Sequence, residues 1–245
     1  MTRKLDFSVT WAGTRALLDA HKEGLTAFAG LLLFLPDWAG RLFAGEPDME
    51  GVSTPAAMLG AIQDYYASNW AILLPTGLVS FFGAVAIYVL LVRRDVPTNG
   101  AALGRALALL PFYFVVQLVG GLITFAAMLL LIVPALYVSG RFSVLGAVAI
   151  GESERGLTGS ISRAWDLTSG NGWAAFGLVL IVALVSGLIA AVTGLMVGLF
   201  CRLIVGPEGI PFVETGIDAA FGAAISTIML ALSVSIYRQL SAQDA

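Results

Sequence analysis

The sequence is poor in residues that carry covalent or proton-transfer chemistry. It holds one histidine, His21, and one cysteine, Cys201. A single cysteine permits no internal disulfide and no cysteine-based metal site. Neither residue has the neighbours in sequence that a nucleophile, a base or a metal set needs, so no catalytic residue, metal or cofactor is expected. What remains is a short run of charges: Arg141, Glu152, Glu154, Arg163 and Asp166. Glu152 and Glu154 are two apart and would point away from each other on a helix, so they read as loop carboxylates rather than a working pair. Asp166 lies three residues after Arg163, the spacing of a local ion pair. Arg141 is flanked by apolar residues 129–138 and 142–150. It could hold a lipid phosphate or pair with Glu152 or Glu154; the simplest reading is a side chain that snorkels to the membrane interface.

The elements that position these residues follow from composition. Of 245 residues, 58% are hydrophobic and 12% charged, against about 25% charged in soluble domains. Lipid must be the solvent for much of such a chain. The net charge of -3 and the scattered Lys and Arg residues argue against nucleic acid as a partner. The charged N-terminal stretch lacks the pattern of a cleaved signal peptide, and the first apolar run is expected to stay in the membrane. Apolar runs lie at about residues 25–43, 70–92, 107–150, 173–203 and 212–237. The third is too long for one crossing, since about 20 residues span a bilayer. Gly120-Gly121 is the expected turn within it, and Pro134 the expected kink in its second half. A stretch at 56–66 is expected as a short surface helix before the second crossing. The fold class is therefore all-α: a polytopic membrane protein of about six transmembrane helices in three hairpins.

Charge asymmetry orients the bundle. With both ends inside, the inner segments hold Arg3, Lys4, Arg15, Lys22, Arg93, Arg94, Arg105, Arg141, Arg155, Arg163 and Arg238. The outer ones hold only Arg41 and Arg202, beside the acidic residues Asp37, Glu46, Asp48, Glu50, Asp64, Glu208, Glu214 and Asp218. This positive-inside bias puts both termini on the inner, cytoplasmic side of the membrane.

Three inner segments look alike. Each carries an Arg-Ala pair, Arg15-Ala16, Arg105-Ala106 and Arg163-Ala164, and each follows a threonine, Thr10, Thr98 and Thr158, read as a helix N-cap. The chain then reads as three units, approximately 1–95, 96–155 and 156–245, each hairpin preceded by an amphipathic interfacial helix. Arg15, Arg105 and Arg163 would ring the inner face, as contacts for anionic headgroups or as ordinary anchors. Trp165 is read as an interface anchor, and Trp173 as another at the start of the fifth crossing. Gln117 is the clearest polar residue inside a crossing and is expected to bond between helices. Gly187 to Ala191 and Gly194 to Gly198 have small-xxx-small spacing, which serves packing within the chain or a homo-oligomer.

One stretch has a family likeness. It runs through Leu131-Ile132-Val133-Pro134-Ala135-Leu136-Tyr137, then Arg141-Phe142-Ser143, Glu152, Ser160 to Thr168, and Trp173. It resembles the membrane domain attached to some glycerophosphodiester phosphodiesterases and the related YciC-like bacterial inner-membrane proteins. Those families carry Gly where Ala135 stands and Ser where Ala164 stands. The likeness covers about 45 residues strongly and the six-crossing plan weakly. It implies a membrane fold and no reaction, because the catalysis of the fused enzymes belongs to a separate barrel that this chain has no room for.

The leading expectation is a non-enzymatic inner-membrane protein that binds membrane lipids or a protein partner, homo-oligomers included, with Arg15, Arg105, Arg141, Arg163 and Trp165 as contacts. A small-solute or lipid transporter is the alternative, with Gln117, Thr124, Tyr137 and Thr193 as its polar lining. A lipid-acting enzyme is the third class, with Glu152, Glu154 and Asp166 as the available groups.

Overall fold

The computed structural model describes residues 4–49, 51–93, 98–204 and 210–242, and the side chains of these except 202–204, 210 and 211. Arg3, Glu50, Arg94, Glu208 and the side chain of Arg202 lie outside the described residues. Among those described there are eight helices and no strand: α1 (Phe7–Ala20), α2 (Lys22–Ala44), α3 (Pro55–Val92), α4 (Asn99–Leu130), α5 (Ile132–Gly151), α6 (Gly156–Leu167), α7 (Gly172–Ile204) and α8 (Ile210–Ser241). Six of them, α2–α5, α7 and α8, are long and apolar enough to cross a bilayer. The chain is thus a multi-pass membrane protein. The hairpins are α2–α3, α4–α5 and α7–α8, and α8 packs against α1, α2, α3 and α5 as well as α7.

Apolar character runs all round α3 and α7, and large side chains such as Leu74, Leu188 and Leu195 are more than half exposed. That is the signature of a helix facing lipid. The dense core lies at one end instead. Val85 to Val89, Val144 to Ile150, and Leu232, Val234 and Ile236 are nearly or wholly buried there. α1 lies across this same end: Ser235 donates to the Thr10 carbonyl at 2.7 Å, and Thr10 hydrogen-bonds Gln239. Both termini of the described chain therefore share one end of the bundle, referred to below as the α1/α6 end.

Several expectations are corrected. The chain turns at Leu131, not at Gly120-Gly121. Leu131 is extended (φ -164, ψ 151), and α4 runs unbroken through both glycines. Opening a helix in hydrocarbon strands backbone N–H and C=O groups at several kcal/mol each, which outweighs the weak helix propensity of two glycines. Gly120 serves close approach: a Cβ there would lie 2.5 Å from Leu145 Cδ2. Pro134 does not kink α5. It is the third residue of the helix, where an N–H has no partner to lose. The irregularity falls at a 3₁₀ turn, Phe142–Val144. The surface helix expected at 56–66 is the first part of α3, which starts after an N-cap at Thr54. In the middle unit the interfacial segment is likewise continuous with its crossing, and Thr98 caps α4 through Ala101 N–H at 3.2 Å. Thr10 and Thr158 are not caps. They lie inside α1 and α6, and Asp6 caps α1 instead.

One further irregularity has a clear origin. Pro36 has no N–H to give the carbonyl four residues back. The preceding stretch Ala29–Phe34 widens to π-helix, with Leu35 N–H bonding Gly30 O. This turns Leu32 onto Gly83 of α3, where a Cβ would lie 2.6 Å from that of Leu32.

The tightest helix contact joins α5 to the start of α7. A Cβ on Gly140 would come within 2.8 Å of Phe176 Cβ and would collide with the Gly172 carbonyl. Gly140→Val is expected to destabilise the fold by about 1–3 kcal/mol, read as a lower melting temperature in detergent. Gly177→Ala, where nothing lies within 4 Å, is expected to leave it unchanged or slightly raised.

Candidate functional site

Arg141 is the central feature of the α1/α6 end. It is 5% exposed, so it does not snorkel. The 3₁₀ turn that follows lets α5 swing away, and α6 returns its C-terminal end to the same place. The guanidinium lies over the Trp165 ring, 4.2 Å from the centroid, and 5.6 Å from that of Tyr137. Its Nη1 donates to Tyr137 Oη at 3.0 Å and its Nη2 to the Trp165 carbonyl. Thr168 Oγ1 donates to the Arg141 carbonyl at 3.0 Å, tying the α6–α7 turn to the same point. Nε is buried and has no partner.

Among the described residues no carboxylate pairs with Arg141. Glu152 is engaged elsewhere. It binds Arg155, lies 3.3 Å from Arg163 Nε, and accepts from Tyr237 Oη at 3.0 Å. Among the described residues the carboxylate paired with Arg163 is Glu152, where Asp166 was expected. The expected loop carboxylate is thus a partly buried junction between α5, α6 and α8. An arginine-centred charge with aromatic faces and no counter-ion is unusual, because a buried unpaired charge costs several kcal/mol, against about 0.5–2 kcal/mol from cation–π contact.

The other expected contacts are dispersed. Arg15 and Arg105 are exposed at the α1/α6 end, whereas Arg163 is ion-paired, so the three do not act as an equivalent ring. Trp165 is 37% exposed and does more than anchor, since it roofs Arg141. Trp173, 51% exposed, meets Tyr137 with its ring tilted, centroids 5.7 Å apart, and extends the aromatic rim. The residues that carried the family likeness, Tyr137, Arg141, Trp165, Thr168 and Trp173, therefore meet at one place.

Gln117 bonds within α4, to Tyr113 Oη at 3.1 Å, and not between helices. Thr124 bonds its own helix at Gly120 O. The polar lining lies elsewhere. A cavity of about 470 Å³ between α2, α3, α5, α7 and α8 is faced by Ser80, Tyr88, Ser139, Ser143, Ser226 and Ser233. The spacing of Ser139 with Ser143 and of Ser226 with Ser233 puts each pair on one helical face, a signal already present in the sequence. Glu214 and Asp218 are helical residues of α8 rather than loop residues, set against Gly198 and Gly194 of α7. Gly187 meets nothing within 4 Å, so its spacing to Ala191 does not serve packing in this chain.

No protein-family model, no curated protein and no solved structure matches the chain.

Burial works to raise the Glu152 pKa, but hydrogen bonds from Arg155 and Tyr237 and the charge of Arg163 bring it below the ordinary glutamate value. A carboxylate depressed in the folded state contributes stability above its unfolded pKa of about 4.3, and loses it as pH falls through the lower folded value. Glu152→Gln is expected to lower stability at pH 7 by on the order of 1 kcal/mol. Melting curves of variant and wild type are expected to converge as the pH is taken below about 4.

Proposed function

We propose that this is a non-enzymatic inner-membrane protein, with both termini in the cytoplasm, that binds the phosphate of an anionic lipid at Arg141. The observation that carries the reading is the buried guanidinium with an unpartnered Nε and no carboxylate partner among the described residues. Guanidinium groups suit phosphate because their fork of N–H donors matches its oxygens. The aromatic groups of Tyr137, Trp165 and Trp173 fit the same role, since such rings are enriched at headgroup depth. Exposed Arg15 and Arg105 at the same end would add a general attraction for anionic lipid, of about 1 kcal/mol for each basic residue near the surface. The positive-inside distribution supports the orientation, and the likeness of residues 130–173 to the YciC-like proteins supports an inner-membrane setting.

Native mass spectrometry from mild detergent, after reconstitution with phosphatidylglycerol and cardiolipin, tests the reading. The wild type is expected to retain anionic lipid. Arg141→Gln is expected to lose at least about tenfold in retention, or 1.4 kcal/mol, while Arg105→Gln loses less than threefold. Size-exclusion and circular dichroism profiles of the variants check the fold. A wild type recovered only as bare protein would overturn the proposal, as would undiminished retention in a folded Arg141→Gln.

A further inference from the structure

The serine cavity is a second site, on a different side of α5 from Arg141. Three of its hydroxyls have no protein partner. Ser143 Oγ is buried and unbonded. Ser80 and Ser226 also make no hydrogen bond among the described residues, although a serine inside a helix ordinarily bonds the carbonyl four residues back. Ser139 does so here, to Ala135 O at 2.8 Å, and so does Thr76, to Ile72 O at 2.7 Å. The buried Ser143 hydroxyl needs a partner that the protein does not supply, because an unbonded hydroxyl in hydrocarbon costs a few kcal/mol, and the half-buried Ser80 and exposed Ser226 open onto the same space.

The cavity also has an approach. A second space, of about 600 Å³, lies at the end opposite α1 and α6, with Asp37, Arg41, Glu46, Tyr65 and Thr76 on its walls. Ser80 lines both spaces. Ser80 thus stands between a charged mouth lined by Thr76 and the space that Ser226 and Ser143 face. Beyond the cavity, towards the α1/α6 end, hydrogen bonds tie the helices together. Ser233 donates to the Ser143 carbonyl at 2.6 Å, Ser235 donates to the Thr10 carbonyl, and Tyr237 holds Glu152. The inner cavity has no charged side chain on its lining. Its hydroxyls both donate and accept, so they match a neutral solute of the same kind.

We propose that the two spaces join at Ser80 into a water-filled route, open at the charged mouth, that takes up a small neutral polyol. The proposal is independent of lipid binding at Arg141.

Cysteine accessibility in reconstituted vesicles tests it, with Cys201→Ser as background and glycerol as the solute. The reagent is trimethylammonium-ethyl methanethiosulfonate, present on both faces. Ser80→Cys and Ser226→Cys are expected to react at least tenfold faster than Leu188→Cys, which is 66% exposed on the lipid side. Glycerol is expected to slow reaction at Ser226→Cys at least threefold against an osmotically matched sucrose control. Adding Ser80→Trp is expected to slow it further, with circular dichroism confirming the fold. Reaction no faster than at Leu188→Cys would overturn the water-filled route. Reaction without protection by glycerol would overturn the polyol assignment.

Discussion

Hydrocarbon offers no hydrogen bonds, and the layout of this protein follows from that single fact. Every backbone N–H and C=O inside the bilayer must be satisfied within the chain. The helices therefore run on through Gly120-Gly121 and through Pro75 and Pro111. At Pro36 the helix widens to a π turn rather than opening. Several crossing hydroxyls obey the same constraint by bonding their own helix, as Thr76, Thr124, Ser139 and Thr227 do. Against that background, two of the places that keep unsatisfied buried groups are the sites proposed above.

Two such places emerge, and they differ in chemistry. At the α1/α6 end the unsatisfied group is a cation. Its environment of two aromatic faces, one hydroxyl and one carbonyl compensates part of the charge. Glu152 is close in sequence, but it is held by two arginines and a tyrosine. Deeper in the bundle the unsatisfied groups are neutral hydroxyls on three different helices. Neither place resembles an acid–base or metal constellation. Each is proposed here as a place where a polar ligand is recognised in an apolar setting.

The expectations that failed did so for physical reasons. A Gly-Gly pair marks a turn in water, where exposed backbone finds solvent. In lipid it marks a place where another helix comes close. The arginine that reads as a snorkelling side chain is instead enclosed, because α6 folds back and lays Trp165 over it from 24 residues away. Thr98 was readable as a cap because capping is a local bond to a residue three positions on. Thr10 has the same local look but bonds Gln239 across the bundle. The serine cavity is built from single residues on several helices, and only the helical spacing within each pair could have hinted at it.

By itself the sequence determined the solvent, the number of crossings and, within a few residues, most of their limits. Those properties depend on mean apolarity over about 20 residues, a local sum that needs no partner. It also determined which residues a headgroup site could use, since Tyr137, Arg141, Trp165 and Trp173 stand in one short stretch. Only the tertiary structure decided which of the candidate arginines is buried, which carboxylate is neutralised and where the polar lining lies. Each of those depends on what another helix brings to within about 4 Å, and a charge or hydroxyl acquires its meaning from that neighbour rather than from its own place in the chain.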